Sequence, residues 1–452
     1  MSHSHDRKAL SRREFIRVVG IGAGAAVAAS CAPKATPTPK ATPVPKATPI
    51  PTSPPKKYEG ITMAMLMQSG VAEEPPMNAL AKEFFAETGC KIEIDTESWG
   101  NLAAKIQADL ASGAPRYALF MNNPSFAYPI YDKLVPLDDY IEKYNYDMTG
   151  FFEPSYKYDL MVDPLSPVRY VLPVRFSTSP LWYRTDVIDE FPTTWKGYED
   201  LLAANTGGGK YALSVAGVKV QLVKYFFARY WSQGVPTISP DWKVLINGPE
   251  GVKALAMVKD HITKYAPPGV LAWDNPDADN AFLAGETVVL ESWGHTVPAN
   301  ADNPEKSKIA GKWSLAPYPE NGTADISEHC FFIFKTAKSV DAAFEFAARV
   351  ASTANAKKMA IENGVMSARK VVWTDPDVVA VRPYFPAFSE VIDLAKMPHA
   401  ALPMAGELFM MLAEGCSLGV SGQMSIQDAL DETAANWTKS LSAAEHNYEY
   451  QE

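Results

Sequence analysis

Residues 60–67, GITMAMLM, form a nearly continuous apolar run, the pattern of a strand buried on both faces. Next, PPMNALAKEFFAETG sets Met77, Leu80, Ala81, Phe84 and Phe85 at helical spacing. Pro75 and Pro76 mark the start of that helix, and Gly89 is placed for its C-terminal cap. Residues 91–96, KIEIDT, alternate as a second strand. Leu102, Ile106 and Leu110 share one face of a helix that stops before Gly113, and residues 117–121 supply a third strand. The order β-α-β-α-β predicts a mainly parallel sheet with right-handed crossovers. Ligands of open α/β sheets bind beyond the carboxyl ends of the strands. Three tips are therefore candidate contacts: Gln68-Ser69-Gly70, Glu97-Ser98-Trp99 and Asn122-Asn123. Toward the C-terminus, Leu408, Met411 and Leu412, then Ala429, Leu430, Thr433 and Trp437, form helical stripes that read as core.

The letters ESWG close strand-like stretches twice, at residues 97–100 and 291–294. An indole is a flat apolar plate on which the C–H face of a sugar ring can stack. Acids and amides beside it can fix hydroxyl groups. On this reading Glu97 and Trp99 line one wall of a cleft, Glu291 and Trp293 line the other, and His295 contributes from the second loop. The competing reading packs each tryptophan on a neighbouring element and turns each acid to water or to a structural partner.

The N-terminus is an address. Ser11-Arg12-Arg13-Glu14-Phe15 is a twin-arginine block, and residues 18–29 are an apolar run too short to span a bilayer. Small residues precede Cys31, as in a lipoprotein cleavage box, so Cys31 is the expected lipidated residue. Three hexads then follow, KATPTP, KATPVP and KATPIP. Proline at this density removes backbone donors and fixes φ, giving an extended tether. From Cys31 to Lys57 it reaches roughly 80 Å, at about 3 Å per residue.

A net charge of −10 argues against nucleic acid as a partner. About 395 residues follow the tether, more than one ordinary core holds, so two lobes are expected. Beyond Cys31, Cys90, Cys330 and Cys416 are odd in number and widely spaced, which is neither a disulfide framework nor a metal site, though one disulfide stays open. No catalytic, metal or cofactor motif is present, so neither a metal nor a cofactor is expected.

Residues 170–201, YVLPVRFSTSPLWYRTDVIDEFPTTWKGYEDL, resemble the extracellular solute-binding proteins of ABC importers, the family of the maltose- and oligosaccharide-binding proteins. The matching features are Pro173, residues 181–186 (LWYRTD) and Pro192-Thr193-Thr194-Trp195. Residues 281–290, AFLAGETVVL, are similar to the family's helix-turn-strand, after which the family often presents a sugar-stacking tryptophan, here Trp293. Residues 313–365 resemble a further strand, strand and helix, and the likeness runs over residues 58–445. There are departures. Arg116 stands where the family usually has an aspartate, and Gly197 interrupts the helix start after Trp195. Arg175 and Ser177 stand where the sugar-binding branch can project an acid. An arginine there can meet a ligand carboxylate, or pair with a structural acid.

The resemblance implies a periplasmic-binding-protein-like α/β fold of two lobes, discontinuous in sequence, with the ligand cleft at the hinge. The chain is expected to cross near 172–176, 314–318 and 364–370. Residues 1–31 are then signal and 32–57 tether. Residues 58–173 with 318–366 form lobe one, and residues 174–317 with 367–452 form lobe two. The expected ligand contacts are Trp293, Trp99, Glu97, Glu291, Gln68, Asn122, Asn123, Arg175, Ser177 and His295, with Phe409 where the family places a further aromatic contact. The expected function is capture of a carbohydrate and delivery to ABC permease subunits, without chemistry, by a monomer held to the membrane through its N-terminal lipid. A uronate, organic anion or polyamine is the alternative ligand. A surface sensor or adhesive protein is the alternative role, and a secreted glycoside hydrolase, which needs two catalytic carboxylates, is the remote one.

Overall fold

The computed structural model describes residues 55–126, 128–152, 168–293, 297–396, 402 and 404–443. The signal, Cys31, the tether hexads and His295 lie outside these residues. Nine strands are present among them: β1 (Thr62–Gln68), β2 (Lys91–Glu97), β3 (Tyr117–Asn122), β4 (Val171–Ser177), β5 (Leu181–Arg184), β6 (Leu213–Val215), β7 (Val289–Glu291), β8 (Trp313–Ala316) and β9 (Ser327–Ile333). They form two sheets, ordered β2-β1-β3-β9-β4 and β6-β7-β5-β8.

In the first sheet β1 is parallel to β2 and β3, as the alternating pattern predicts. The other half departs from it. β9 returns from the second sheet and runs antiparallel to both β3 and β4. The apolar run of β1 is explained by its two faces. Met63, Met65 and Met67 pack with Met77, Leu80 and Phe84 of helix Glu74–Thr88. Ala64 and Leu66 point the other way, into a cluster with Leu102, Ile106, Phe120 and Phe332. Gly89 ends the helix at φ 79°, and a Cβ there would stand 2.9 Å from the Glu59 Cα, so glycine is required on both counts.

The second sheet is covered by helices Trp195–Ala204, Lys219–Trp231, Pro249–Tyr265, Ala405–Ser421 and Ile426–Ala443. Gly197 does not delay the first of these. Thr194 caps it, its side chain accepting from the Gly197 N–H at 3.1 Å.

The chain passes between the sheets at 178–180, from β4 to β5, and at 317–326, from β8 to β9. A third segment lies alongside β4: the Phe176 N–H donates to Met366 O at 2.9 Å, and the Ala368 N–H to Val174 O at 3.1 Å. Arg369, buried, ties that segment to the Ala351, Thr149 and Asp147 carbonyls at 2.7, 3.0 and 2.9 Å. No helix among the described residues is long and apolar enough to cross a membrane. Cys90, Cys330 and Cys416 are buried thiols, and burial pushes the Cys90 thiol up to about 11.

Each sheet layer holds a buried ion pair, and each pair corrects an expected ligand contact. Arg175 is buried on β4, its Nε 2.7 Å from Glu73 Oε1, with His329 Nδ1 3.0 Å from the same oxygen. Burial alone would raise the Glu73 carboxyl, but Arg175 and His329 overcome it and hold it down at about 2. Burial, then the Arg175 charge, keeps His329 neutral. Arg175 therefore serves a structural acid and not a ligand carboxylate. Glu291, at the end of β7, is fully buried and held by Arg229 at 2.7 and 3.1 Å, with the Tyr198 hydroxyl donating at 2.8 Å. Arg229 also reaches His261 Nδ1 at 2.8 Å, and its guanidinium lies 4.8 Å from the Trp195 ring centroid. Burial lowers His261 well below its ordinary range, so Nδ1 accepts from Arg229 and the proton sits on Nε2, 3.3 Å from Glu199. Glu291 is thus spent inside the lobe and presents no carboxylate to a cleft.

Replacing Glu73 by Gln is expected to lower stability at pH 7 by about 3 kcal/mol, from a folded value of about 2 against 4.5 at 1.36 kcal/mol per unit. Because the folded value is the lower one, the contribution is complete above pH 4.5 and lost as pH falls toward 2. Urea midpoints of both proteins across that range check it; equal midpoints at pH 7 would sink it. Glu291→Gln leaves Arg229 buried without a counter-charge, and about 3–5 kcal/mol of stability should go. Calorimetry reads this as a drop in Tm that no ligand is needed to reveal.

Candidate functional site

The carboxyl ends of β2, β1 and β3 stand side by side, since Gln68 pairs in register with Glu97 and Met67 with Met121. Glu97 accepts from the Ser98 N–H at 2.9 Å and from Asn101 and Lys105 at 3.3 and 3.4 Å. The Ser98 N–H first, then Asn101, hold its carboxyl below the usual range. It secures the start of helix Trp99–Ala111, whose first residue, Trp99, is 42 % exposed. The Trp99 ring meets Phe126 edge-on at 6.4 Å. Phe126 belongs to the turn Pro124–Phe126, which touches helix Ala405–Ser421 of the second sheet's layer. Phe409 lies on that helix, half-buried against the second core. Asn122, fully buried at the end of β3, accepts the Asn123 N–H at 2.7 Å, while its Nδ2 has no hydrogen-bond partner among the described residues.

A second group forms around Trp293, half-buried just past β7. Its Nε1–H donates to Gln221 Oε1 at 2.9 Å, and Lys224 Nζ lies 5.1 Å from its ring centroid. Gln221 and Lys224 sit one turn apart on helix Lys219–Trp231. The Lys224 ammonium donates to Gln221 Oε1 at 2.9 Å and to Asn275 Oδ1 at 3.3 Å. Asn275 opens helix Asn275–Leu283, which Asp274 caps, and it also accepts from Ser292 Oγ at 3.4 Å. Burial lowers Lys224 to about 7, against the pull of Asp279, Asp325, Glu291 and Asp274.

The passages between the sheets add polar atoms. Asp325 is buried, with Oδ1 lacking a partner, and burial pushes it up to about 7 against the opposing Lys224 charge. The Ser179 Oγ and Tyr318 Oη are both buried and face each other, with no other side-chain partner among the described residues. Ser177 is also buried, but its hydroxyl faces Thr178 O at 3.4 Å and Met366 Sδ at 3.2 Å, so it bonds within the fold.

The structure thus gathers Gln68, Glu97 and Asn122 at one sheet end, with Trp99 beside them, and gives Trp293 a polar surround of its own. Arg175, Glu291 and Ser177 are taken up by the fold. Gln221, Lys224, Asn275, Ser179, Tyr318 and Asp325 were not foreseen. One signal was available: Lys224 interrupts the apolar run of KVQLVKYFFARYW, where Leu222, Val223, Phe226 and Phe227 are all buried. Such a set can stack a ring, donate to it and accept from it. Glu97 and Glu291 do not form a catalytic pair, because one is held by Ser98, Asn101 and Lys105 in the first sheet's layer and the other is paired with Arg229 in the second.

Among known proteins, a probable amino-acid ABC transporter periplasmic-binding protein of Sinorhizobium fredii is 23 % identical over 353 residues, covering 74 % of this chain and 78 % of its own. A solute-binding protein of Agrobacterium radiobacter K84 in complex with ribitol superposes with a TM-score of 0.74 at 21 % identity, covering 85 % of this chain and 100 % of that one. The maltose-bound MalE3 of T. maritima does so with 0.74 at 20 % identity, covering 84 % and 100 %. At these identities the likeness is one of fold, a two-lobed binding protein. The sequence model of the bacterial extracellular solute-binding proteins matches residues 68–357, and this chain belongs to that family.

Proposed function

We propose that this chain is the substrate-binding component of an ABC importer and that its ligand is a carbohydrate or polyol. One observation carries the reading: a half-buried indole with an ammonium over its ring, and on the passage from β8 to β9 a buried carboxyl oxygen with no partner among the described residues, whose charge that ammonium opposes. Buried polar groups are normally paired. A polyhydroxyl ligand supplies hydroxyls that both donate and accept, and a C–H face for Trp293. Relatives of the same fold that hold ribitol and maltose support the class. Residues 58–173 with 318–366 act as one lobe and residues 174–317 with 367–452 as the other. Ligand bridging them favours the closed arrangement by its differential affinity for it. Trp99, Gln68, Asn122 and Asn123 contribute from the first lobe, Trp293 and Phe409 from the second, and His295 as well. No reaction is performed on the ligand. The protein works as a monomer outside the cytoplasm, lipidated at Cys31, tethered by its proline hexads, and delivers to permease subunits.

A second reading has one observation in its favour. The S. fredii relative carries an amino-acid assignment, and a buried ammonium such as Lys224 suits a carboxylate. Thermal shift separates the two. Ribitol or maltose at a hundred times its dissociation constant should add about 2.7 kcal/mol of stability. Trp293→Ala should weaken that binding at least thirtyfold, about 2 kcal/mol for loss of an aromatic anchor, with the unliganded Tm nearly unchanged. A response to glutamine and other amino acids alone, with none to sugars or polyols, would replace the carbohydrate reading.

A further inference from the structure

Lys224 is a buried ammonium with no carboxylate in ion-pair contact among the described residues. Two neutral amide oxygens, of Gln221 and Asn275, take two of its three N–H groups. The Trp293 and Tyr225 rings approach its Nζ at 5.1 Å each. Its neighbours on the helix, Leu222, Val223, Phe226 and Phe227, are all buried apolar residues, so packing alone would favour an apolar side chain here. Asp325 approaches from a different part of the chain, the passage from β8 to β9. Its backbone is fixed: the Thr178 hydroxyl donates to its carbonyl at 3.0 Å, and the next N–H donates to Lys396 O at 2.9 Å. Its carboxyl is not: Oδ1 is buried and accepts nothing. The two groups feel each other's charge without touching. A spare donor beside an indole and a spare acceptor on a separate element are complementary to hydroxyl groups, each of which can accept from the one or donate to the other.

We propose that Lys224 and Asp325 are the specificity-determining pair of this site, Lys224 donating to a ligand hydroxyl and Asp325 accepting from one, so that a polyhydroxyl solute is selected over apolar or singly polar ones. The assignment rests on the carbohydrate-or-polyol reading and names the atoms that enforce it. Ser179 and Tyr318, whose buried hydroxyls face each other, extend the same hydroxyl-reading surface.

The test uses the full chain, with ribitol and maltose as probes in calorimetric titrations. Lys224→Met and Asp325→Leu remove the donor and the acceptor. Lys224→Gln and Asp325→Asn keep an N–H and a C=O in reach. Affinity for the responding probe should fall at least tenfold in the first two and recover in part in the second two. The unliganded Tm of Lys224→Met should match or exceed the parent's, because a desolvated charge has been removed. Should either apolar variant fail to fold, the Gln and Asn variants still decide the matter by a smaller loss of affinity at parental Tm. Parental affinity throughout the folded variants overturns the pair and leaves the carbohydrate reading intact. A parent that ignores both probes and binds amino acids overturns that reading, and the hydroxyl assignment with it.

Discussion

The contact between Arg229 and Glu291 is the constraint on which the second half of the molecule is built. Neither charge is tolerable alone in an interior that excludes water. Together, with Tyr198 donating to the carboxylate, they lock the end of β7 to helix Lys219–Trp231. His261 and Trp195 flank the guanidinium and bring two further helices into the same arrangement. Trp293 lies two residues beyond Glu291, and Lys224 lies on the same helix as Arg229. The pair therefore fixes where the indole and the ammonium meet, although it touches no ligand itself.

The first sheet has its own version of this device. Glu73 precedes helix Glu74–Thr88, Arg175 sits on β4 and His329 on β9, so one buried carboxylate joins a helix start to two strands near the passage between sheets. Around these satisfied clusters lie the unsatisfied ones. Asn122 Nδ2 stands on a paired strand, and Asp325 Oδ1 on backbone tied by the Thr178 hydroxyl and next to the Ile326 bond to Lys396. Rigid support beneath spare hydrogen-bonding capacity is what a binding site needs, and the fold bears its desolvation cost. The same logic separates polar residues that look alike in sequence: those with charged partners in reach hold the structure, and those without remain available.

Much of the first sheet was legible because its signals are local. The two-faced run of β1, the alternation of β2, the stripe of helix Glu74–Thr88 and its Gly89 cap each depend on residues within a few positions. The tips at Gln68, Glu97 and Asn122 followed from the parallel order. What failed depended on distant partners. Glu291 turns inward because Arg229 waits 62 residues away, and nothing in ESWG distinguishes it from Glu97. Arg175 was weighed against a ligand carboxylate or a structural acid, and only the fold brings Glu73 to it. Lys224 was visible as an interruption of an apolar stripe, but its meaning needed Trp293, Asn275 and Asp325 in place. The antiparallel arrival of β9 could not be read from the βαβ pattern preceding it.

That arrival governs the order in which the protein can be made. β9 lies between β3 and β4, yet it is translated after the whole second sheet. The nascent chain holds β1, β2, β3 and β4 with a gap in their midst until Ile333 has left the ribosome. During that interval Phe120 and Met121 have an uncovered edge beside them, and non-local pairing of this kind is slow to form. A chain so arranged cannot bank its first half as a finished domain. Any truncation short of β9 leaves open edges on β3 and β4 of the sort that pair with another chain.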